Sequence, residues 1–403
     1  MPLDLSALSR QVRAMSSALA HDVPDQASRR SQALERYLRE STAHAVWAQA
    51  ADLSRETCAW LLARPVEPLN TLRDAPLRPP EYALIASDGS QIEVDRHGAA
   101  AWYVLNIGRV YLRYGARSAA KLSARPTLYF RDEDLYLSDG VRRVPIEGNY
   151  LSARRDVAEG VELVALADEF LTASDAPALA LQDGTLVRWT LAGAEKFVQE
   201  HFLRPYLAYL EEMRLRDIPV AAYISRPRAP EVAGTIRLMF CPDVRLAEGR
   251  GAKCSECSDV AAGRTPSCAV CQGLADADIL ADMLGEGQRG PLFVSMSRIN
   301  VEAYGPHLIH FFYLRVGREI ARVEMPRWVA ENPAHVDRVH ALVYDQCVKG
   351  QGYPVALARA HEQAVVRAAD RRAFQRIVEA SLLRADLPAV SSRKAEAKER
   401  PAH

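Results

Sequence analysis

The spacing of apolar residues predicts helices at both ends of the chain. From about Leu5 to Leu62, alanine, leucine, glutamate and arginine dominate, and apolar residues recur at steps of three and four. Five prolines between Arg64 and Pro80 end this pattern and predict a linker. Later helices are predicted over Ser152–Leu171, Gly193–Arg216, His335–Cys347 and Val355–Leu383.

Short apolar runs predict strands in the middle of the chain. These are Tyr82–Ala86, Ala100–Val110, Thr127–Leu137, Val141–Pro145, Ala178–Leu181, Val220–Ile224, Ile309–Val316 and Glu319–Glu324. The turn residues Ser138-Asp139-Gly140 and Gly317-Arg318 predict two hairpins. Strands that alternate with helices and hairpins indicate a mixed α/β domain, flanked by helices at both ends.

Composition restricts the class of protein. The 403 residues carry 51 basic and 51 acidic side chains, so no global positive field indicates a DNA coat protein. A hydrophobic content of 49% excludes a mostly disordered chain. The start of the chain lacks the pattern of a secretory signal, and no apolar run is long enough to span a membrane. We therefore expect a cytoplasmic protein.

Two predicted strands are each followed by an aspartate and a glycine. The segments are Ile85–Ser90, with Asp88, and Ala180–Leu186, with Asp183. An aspartate at a strand end has a fixed backbone and a carboxylate at an open edge, where two of them can bracket Mg²⁺ or Mn²⁺. Such ions activate water and stabilise the leaving oxygen of a phosphodiester. Asp-Gly is also a common turn, so neither segment alone indicates a site.

A third carboxylate is expected from the helix before Asp183. Glu159 and Glu162 lie three residues apart and share a face, while Asp168 and Glu169 lie nearer the helix end. The pattern alone does not choose among these four residues.

Four cysteines form two Cys-x-x-Cys pairs with ten residues between the pairs. Cys254 pairs with Cys257, and Cys268 pairs with Cys271. This spacing is typical of a small structural zinc site in which four thiolates bind one ion. The loop has few apolar residues, so zinc would supply its folding energy. The sequence therefore predicts a zinc-knuckle insertion at about residues 250–273.

The order of four segments resembles the NurA nuclease family. They are Ile85–Ser90, Leu181–Leu186, Tyr223–Pro227 and the long segment His310–Ala330. The resemblance implies an RNase H-like mixed sheet core and a Mn²⁺-dependent DNA nuclease, a 5′-3′ exonuclease with single-strand endonuclease activity. It also implies a homodimer that docks on a HerA-type hexameric ATPase and resects DNA ends during recombinational repair.

The resemblance assigns site residues by motif. Asp88 and Asp183 match the catalytic aspartates, and Glu162 matches the helix glutamate, with Glu159 as the alternative. The catalytic histidine is matched to His310, with His307 as a rival, and the accompanying tyrosine to Tyr304.

Basic residues provide candidate contacts to DNA phosphates. Arg226, Arg322 and Lys253 are the three that we predict. The predicted domains are an N-terminal helical region and linker (1–80), a nuclease domain (81–390) and a disordered tail (391–403). The alternative functions are a non-catalytic zinc-containing DNA-binding adaptor of an ATPase, or a phosphatase that uses the same metal chemistry.

Overall fold

The computed structural model describes residues 4–94, 100–172 and 175–387. The tail predicted for residues 391–403 lies outside the described residues. The strands are β1 (Ala63–Pro65), β2 (Tyr82–Ile92), β3 (Tyr103–Tyr114), β4 (Ala119–Tyr129), β5 (Tyr136–Ser138), β6 (Arg143–Pro145), β7 (Ala178–Asp183), β8 (Val220–Ile224), β9 (Phe293–Ser295), β10 (Ile309–Val316) and β11 (Glu319–Pro326). The helices are α1 (Leu5–Arg39), α2 (His44–Ser54), α3 (Asp132–Leu135), α4 (Asn149–Phe170), α5 (Lys196–Leu215), α6 (Glu231–Phe240), α7 (Ser258–Ala261), α8 (Asp276–Leu280), α9 (Arg298–Ala303), α10 (Arg327–Ala330), α11 (Pro333–Lys349), α12 (Val355–Ala364) and α13 (Ala368–Arg384).

The chain divides into two compact units. The first contains residues 1–74, 225–297 and 310–322, and the second contains 75–224, 298–309 and 323–403. The first unit therefore combines most of the predicted N-terminal region with the predicted zinc insertion and most of the late hairpin. The mixed α/β class with flanking helices is confirmed.

The second unit is built on a mixed sheet with strand order β11-β8-β7-β2-β3-β4, in which β11 contributes its last residues. β2 pairs in parallel with β7 and antiparallel with β3, and β7 pairs in parallel with β8. Leu163 and Leu166 of α4 and Phe202 and Tyr206 of α5 are buried in its apolar core.

Two glycines show which helices cover the two faces of β2 and β3. A Cβ at Gly89 would lie 2.7 Å from Oε1 of Glu159 on α4, whereas a Cβ at Gly108 would lie 2.1 Å from the carbonyl oxygen of Ala360 on α12. Neighbouring strand positions alternate between faces, and Gly108 pairs with Asp88, the residue before Gly89. The helices α4 and α12 therefore pack on opposite faces of these strands.

The first unit has the strand order β1-β9-β10-β11, with residues 310–322 of the hairpin. Its core combines Tyr37 of α1, Trp47 of α2 and Ile236 of α6 with Phe293 and Phe311 from the strands. Cys271 belongs to the same core, so the cysteine loop is packed against the unit at one of its ends.

The predicted helices and strands are found with several corrected boundaries. The predicted helix over residues 5–62 is two helices that end at Ser54, and the predicted helix over residues 355–383 is α12 followed by α13. The predicted strand over residues 127–137 was wrong, because β4 ends at Tyr129 and α3 precedes the small β5–β6 hairpin. Across the described residues, no helix combines the length and hydropathy needed to cross a membrane.

Candidate active site

The parallel ladder between β2 and β7 places two aspartates side by side. Its register runs from Ala83 opposite Ala178 to Ser87 opposite Gln182. Asp88 and Asp183 come next in the same register, and opposed residues in a parallel pair project to the same face. The sequence analysis ended the first strand before Asp88. That boundary was wrong, because β2 continues to Ile92 through its pairing with β3.

A histidine and a tyrosine from the C-terminal part of the chain contact these carboxylates. The Nδ1 atom of His361 on α12 lies 2.8 Å from Oδ2 of Asp88. The hydroxyl of Tyr353, just before α12, donates a hydrogen bond of 2.8 Å to Oδ1 of Asp183. The His361 side chain is 67% exposed and that of Asp88 is 16% exposed, so the imidazole lies on the solvent side of the carboxylate.

The electrostatics of the pair follow from their proximity. Burial and then the negative charge of Asp88 raise the pKa of the Asp183 carboxyl, while the Tyr353 hydroxyl opposes this shift. Burial and the charge of Asp183 raise the pKa of Tyr353, which therefore stays protonated and acts as a donor. Two carboxylates at a half-open edge whose negative charges repel each other fit a divalent cation, which would relieve that repulsion.

Glu159 lies behind this pair, on the α4 face of the sheet. Its carboxylate accepts a hydrogen bond of 3.3 Å from Nε2 of Gln182, whose Oε1 accepts one of 2.8 Å from the Tyr209 hydroxyl. Arg155 lies 3.3 Å from its other oxygen. Burial, and then repulsion from Asp156 and Asp88, raise the pKa of Glu159 to about 8. Glu159 therefore interacts electrostatically with Asp88, one of the two aspartates.

Glu162, the glutamate that the sequence analysis preferred, has a different environment. Its carboxylate forms ion pairs of 2.5 Å with Arg109 and 3.0 Å with Arg125, and its side chain is 6% exposed. Two arginines already neutralise this carboxylate. The geometry therefore favours the alternative, Glu159, as the helix glutamate next to Asp88.

The two predicted histidines and the predicted tyrosine have different environments in the structure. His310 is a buried residue of β10 in the first unit, where it pairs with Val294. His307 lies 3.3 Å from Glu211. The Tyr304 hydroxyl donates to the carbonyl of Leu186 and accepts from the backbone N–H of Arg188, both at 2.8 Å. These contacts hold the segment after Asp183 and favour a structural role for Tyr304.

The three predicted phosphate contacts differ in exposure. Arg226 is 82% exposed and lies 2.6 Å from Glu319. Lys253 is half exposed and lies 3.4 Å from Glu256. Arg322 is buried, forms an ion pair with Glu231 and covers the ring of Phe311 at 3.5 Å. Its burial favours a structural role for Arg322 over the predicted contact to DNA.

The four cysteines of the predicted zinc site are free thiols in the first unit, and the two pairs differ in exposure. Cys254 and Cys257 are partly exposed, whereas Cys268 and Cys271 are buried. Cys257 lies in the turn just before α7, and Cys254 accepts a hydrogen bond of 3.3 Å from the backbone N–H of Ala59.

The structure does not confirm that these thiols form a metal site. Within the described ranges, no three or more His, Cys, Asp or Glu side chains are arranged to hold a metal ion. The expected four-thiolate arrangement of Cys254, Cys257, Cys268 and Cys271 is therefore not confirmed. The zinc site and the Mn²⁺ site stay predictions.

A family model described as the NurA domain matches residues 82–366, more than half of the chain. The chain belongs to the NurA family. The solved structure titled "Crystal structure of NurA" is similar over 76% of this chain and 90% of its own, with 13% identity and a TM-score of 0.35. None of the curated proteins compared with the chain matches it. NurA is known as a nuclease family, which supports a nuclease-type function here.

The NurA domain range contains all four residues that form the paired contacts: Asp88, Asp183, Tyr353 and His361. Sequence reasoning missed Tyr353 and His361. His361 lies 273 positions from its partner, inside an alanine-rich helix that has no local sign of chemistry. Tyr353 follows a Gly-x-Gly turn that looks like an ordinary helix boundary.

Proposed function

We propose that the chain is a Mn²⁺- or Mg²⁺-dependent DNA nuclease, a 5′-3′ exonuclease with single-strand endonuclease activity. The observation that supports this most is that Asp88 and Asp183 lie together at the end of the β2–β7 ladder, in hydrogen-bond contact with His361 and Tyr353. All four residues lie within the NurA domain. An RNase H-like core belongs to the same proposal. So do a homodimer, a cytoplasmic location, and action with a HerA-type ATPase in DNA end resection.

Each side chain has a chemical task in this proposal. Asp88 and Asp183 would hold the divalent cation, which lowers the pKa of bound water and stabilises negative charge on the phosphodiester. Tyr353 holds one oxygen of Asp183 and thereby directs the other. His361 is fixed through Nδ1, and its exposure leaves Nε2 on the side from which DNA approaches, where it can accept or donate a proton.

Glu159 contributes to the proposed cation site from the face of the sheet that α4 covers. Its carboxyl group lies near Asp88, and a bound cation would favour its ionised form, which adds negative potential at the site. Gln182 and Tyr209 hold the carboxylate in one orientation, in the way that second-sphere hydrogen bonds orient the carboxylates of metal sites. We therefore assign Glu159 a role in cation affinity, and Glu162 a structural role.

The test is cleavage of end-labelled single- and double-stranded DNA with Mn²⁺, Mg²⁺ or EDTA. We expect metal-dependent cleavage in the wild type and a loss of about 100-fold or more in Asp88→Asn and Asp183→Asn. Asp175→Asn is a matched control, because Asp175 is an exposed aspartate of the same unit that pairs with Arg113 and Arg117. Equal cleavage in all of these proteins would refute the assigned site.

A second comparison tests the choice of glutamate. Glu159→Gln should weaken Mn²⁺ binding and activity while the fold stays intact. Glu162→Gln should reduce stability instead, since it leaves the buried Arg109 with less compensation. Absence of cleavage under every condition, with DNA binding retained, would favour the zinc-containing adaptor over the nuclease.

A further inference from the structure

The helix α13 lies on the same face of the sheet as the candidate active site. Asp88, Ser90 and Ile92 lie two positions apart along β2 and therefore project to one face. Ser90 donates a hydrogen bond to the carbonyl oxygen of Ala364, the last residue of α12, and Ile92 packs in an apolar cluster with Phe374 of α13. The end of α12 therefore lies two positions beyond Asp88, about 7 Å along β2, and α13 covers the strand beyond that point.

One face of α13 changes from basic to apolar along the helix. Arg371, Phe374 and Val378 follow one another at steps of three and four, which places them on one face. Phe374 and Val378 are half-buried against the sheet, whereas Arg371 and the N-cap residue Arg367 are exposed. Both arginines therefore lie at the end of α13 that is nearest α12, with Arg371 on the face that meets the sheet.

The charge of α13 differs from that of the whole chain. Residues 367–384 carry five arginines and two acidic side chains, whereas the chain as a whole is balanced. Over residues 4–94, 100–172 and 175–387, the guanidinium groups of Arg367 and Arg371 form no hydrogen bond or ion pair. Both can therefore bind an anion without losing a contact. The helix also lies beyond residues 82–366, so the match to the NurA domain does not cover it.

We propose that Arg367 and Arg371 bind backbone phosphates of the DNA strand whose scissile phosphate lies at Asp88 and Asp183, which rests on the proposed nuclease function. The aspartate pair repels DNA where no cation is bound, so a positive surface beside it favours binding of the strand on this face. At about 3.4 Å of axis per phosphate, the distance of about 7 Å from Asp88 to the end of α12 spans about two nucleotides. Guanidinium groups bind phosphate through paired hydrogen bonds, and such contacts position a strand without reading its sequence.

The first test is binding of a fluorescent single-stranded oligonucleotide by the full chain in EDTA, where metal-dependent cleavage does not occur. Each phosphate contact to a single strand adds about 0.7 to the slope of log K against log salt concentration. In Arg367→Gln/Arg371→Gln the slope should therefore fall by about 1.4, and binding at about 0.15 M salt should weaken about tenfold.

Arg372→Gln/Arg376→Gln is the matched control, because it removes the same charge from the same helix. Both residues are exposed and lie two positions from Phe374, so they project from the opposite face. This control should keep most of the wild-type slope. The proposal is overturned if Arg367→Gln/Arg371→Gln leaves the slope unchanged, or if both double variants lower it equally.

The second test compares DNA with bis(p-nitrophenyl) phosphate, a single phosphodiester without neighbouring phosphates. With Mn²⁺, Arg367→Gln/Arg371→Gln should raise KM for DNA about tenfold and leave kcat, and hydrolysis of the small ester, unchanged. An equal loss on both substrates would mean that the arginines act on the catalytic centre, and would overturn the proposal. If the wild type cleaves neither substrate, the proposed nuclease function fails, while a fall in the salt slope confined to Arg367 and Arg371 still supports their contact to DNA.

Discussion

The buried ion pair between Arg322 and Glu231 provides a test of whether Arg322 stabilises the fold or binds DNA. Both side chains are 2% exposed. The other oxygen of Glu231 accepts a hydrogen bond of 2.5 Å from Ser295, and the Arg322 guanidinium packs on the ring of Phe311. Replacement of Arg322 by methionine removes the charge and keeps much of the apolar stem.

The expected loss of stability comes from the charge that the substitution leaves on Glu231. In Arg322→Met, the Glu231 carboxylate stays buried without the cation that pairs with it. Breaking one partner of a buried ion pair costs about 3–5 kcal/mol of unfolding free energy. Replacing both charges with neutral residues costs much less, because no unpaired charge is left. The double variant Arg322→Met/Glu231→Gln should therefore recover most of the loss.

The assay is urea unfolding of the full chain, together with DNA binding at fixed salt. Arg226→Met is the control, because Arg226 is 82% exposed and its pair with Glu319 contributes at most about 1 kcal/mol. We expect Arg322→Met to lose stability, and Arg226→Met to keep stability and to bind DNA more weakly. The reasoning is refuted if Arg322→Met stays within about 1 kcal/mol of the wild type while its DNA affinity falls.

Three further outcomes are expected. Gly108→Ala should reduce cleavage more than Gly193→Ala, as measured on labelled DNA. A Cβ at Gly108 would meet the Ala360 carbonyl at 2.1 Å and displace the helix that carries His361, whereas nothing lies within 4 Å of a Cβ at Gly193. In EDTA, the free energy of unfolding measured with urea should fall as pH rises from about 4.5 to about 8. In this range the raised pKa of Glu159 keeps its proton in the folded state, while the unfolded state loses it, so the slope is near 1.4 kcal/mol per pH unit. An unchanged slope in Glu159→Gln would contradict this. Elemental analysis should find about one zinc per chain, lost in Cys268→Ser/Cys271→Ser and kept in Cys347→Ser; equal zinc in all three proteins would exclude the cysteine site.

The sequence predicted the strands of the site better than the residues around them. Apolar runs before Asp88 and Asp183 identify buried strands, and a buried parallel pair brings the following residues together. The sequence did not show which partner each carboxylate on the helix meets. Their spacing places Glu159 and Glu162 on one helix face. Arginines on β3 and β4 neutralise Glu162, and they can be identified only from the strand register.

His310 and His361 show how burial and chemistry give different signals in a sequence. The segment around His310 drew attention because it is long, apolar and unusual, and the structure explains that character by the hairpin that fills the core of the first unit. His361 carries no such signal, because a side chain that is 67% exposed lies outside the apolar pattern of its helix. Apolar patterns report which residues are removed from water. A side chain that contacts a solvent-facing carboxylate is found only by the tertiary contact itself, which here joins positions 88 and 361.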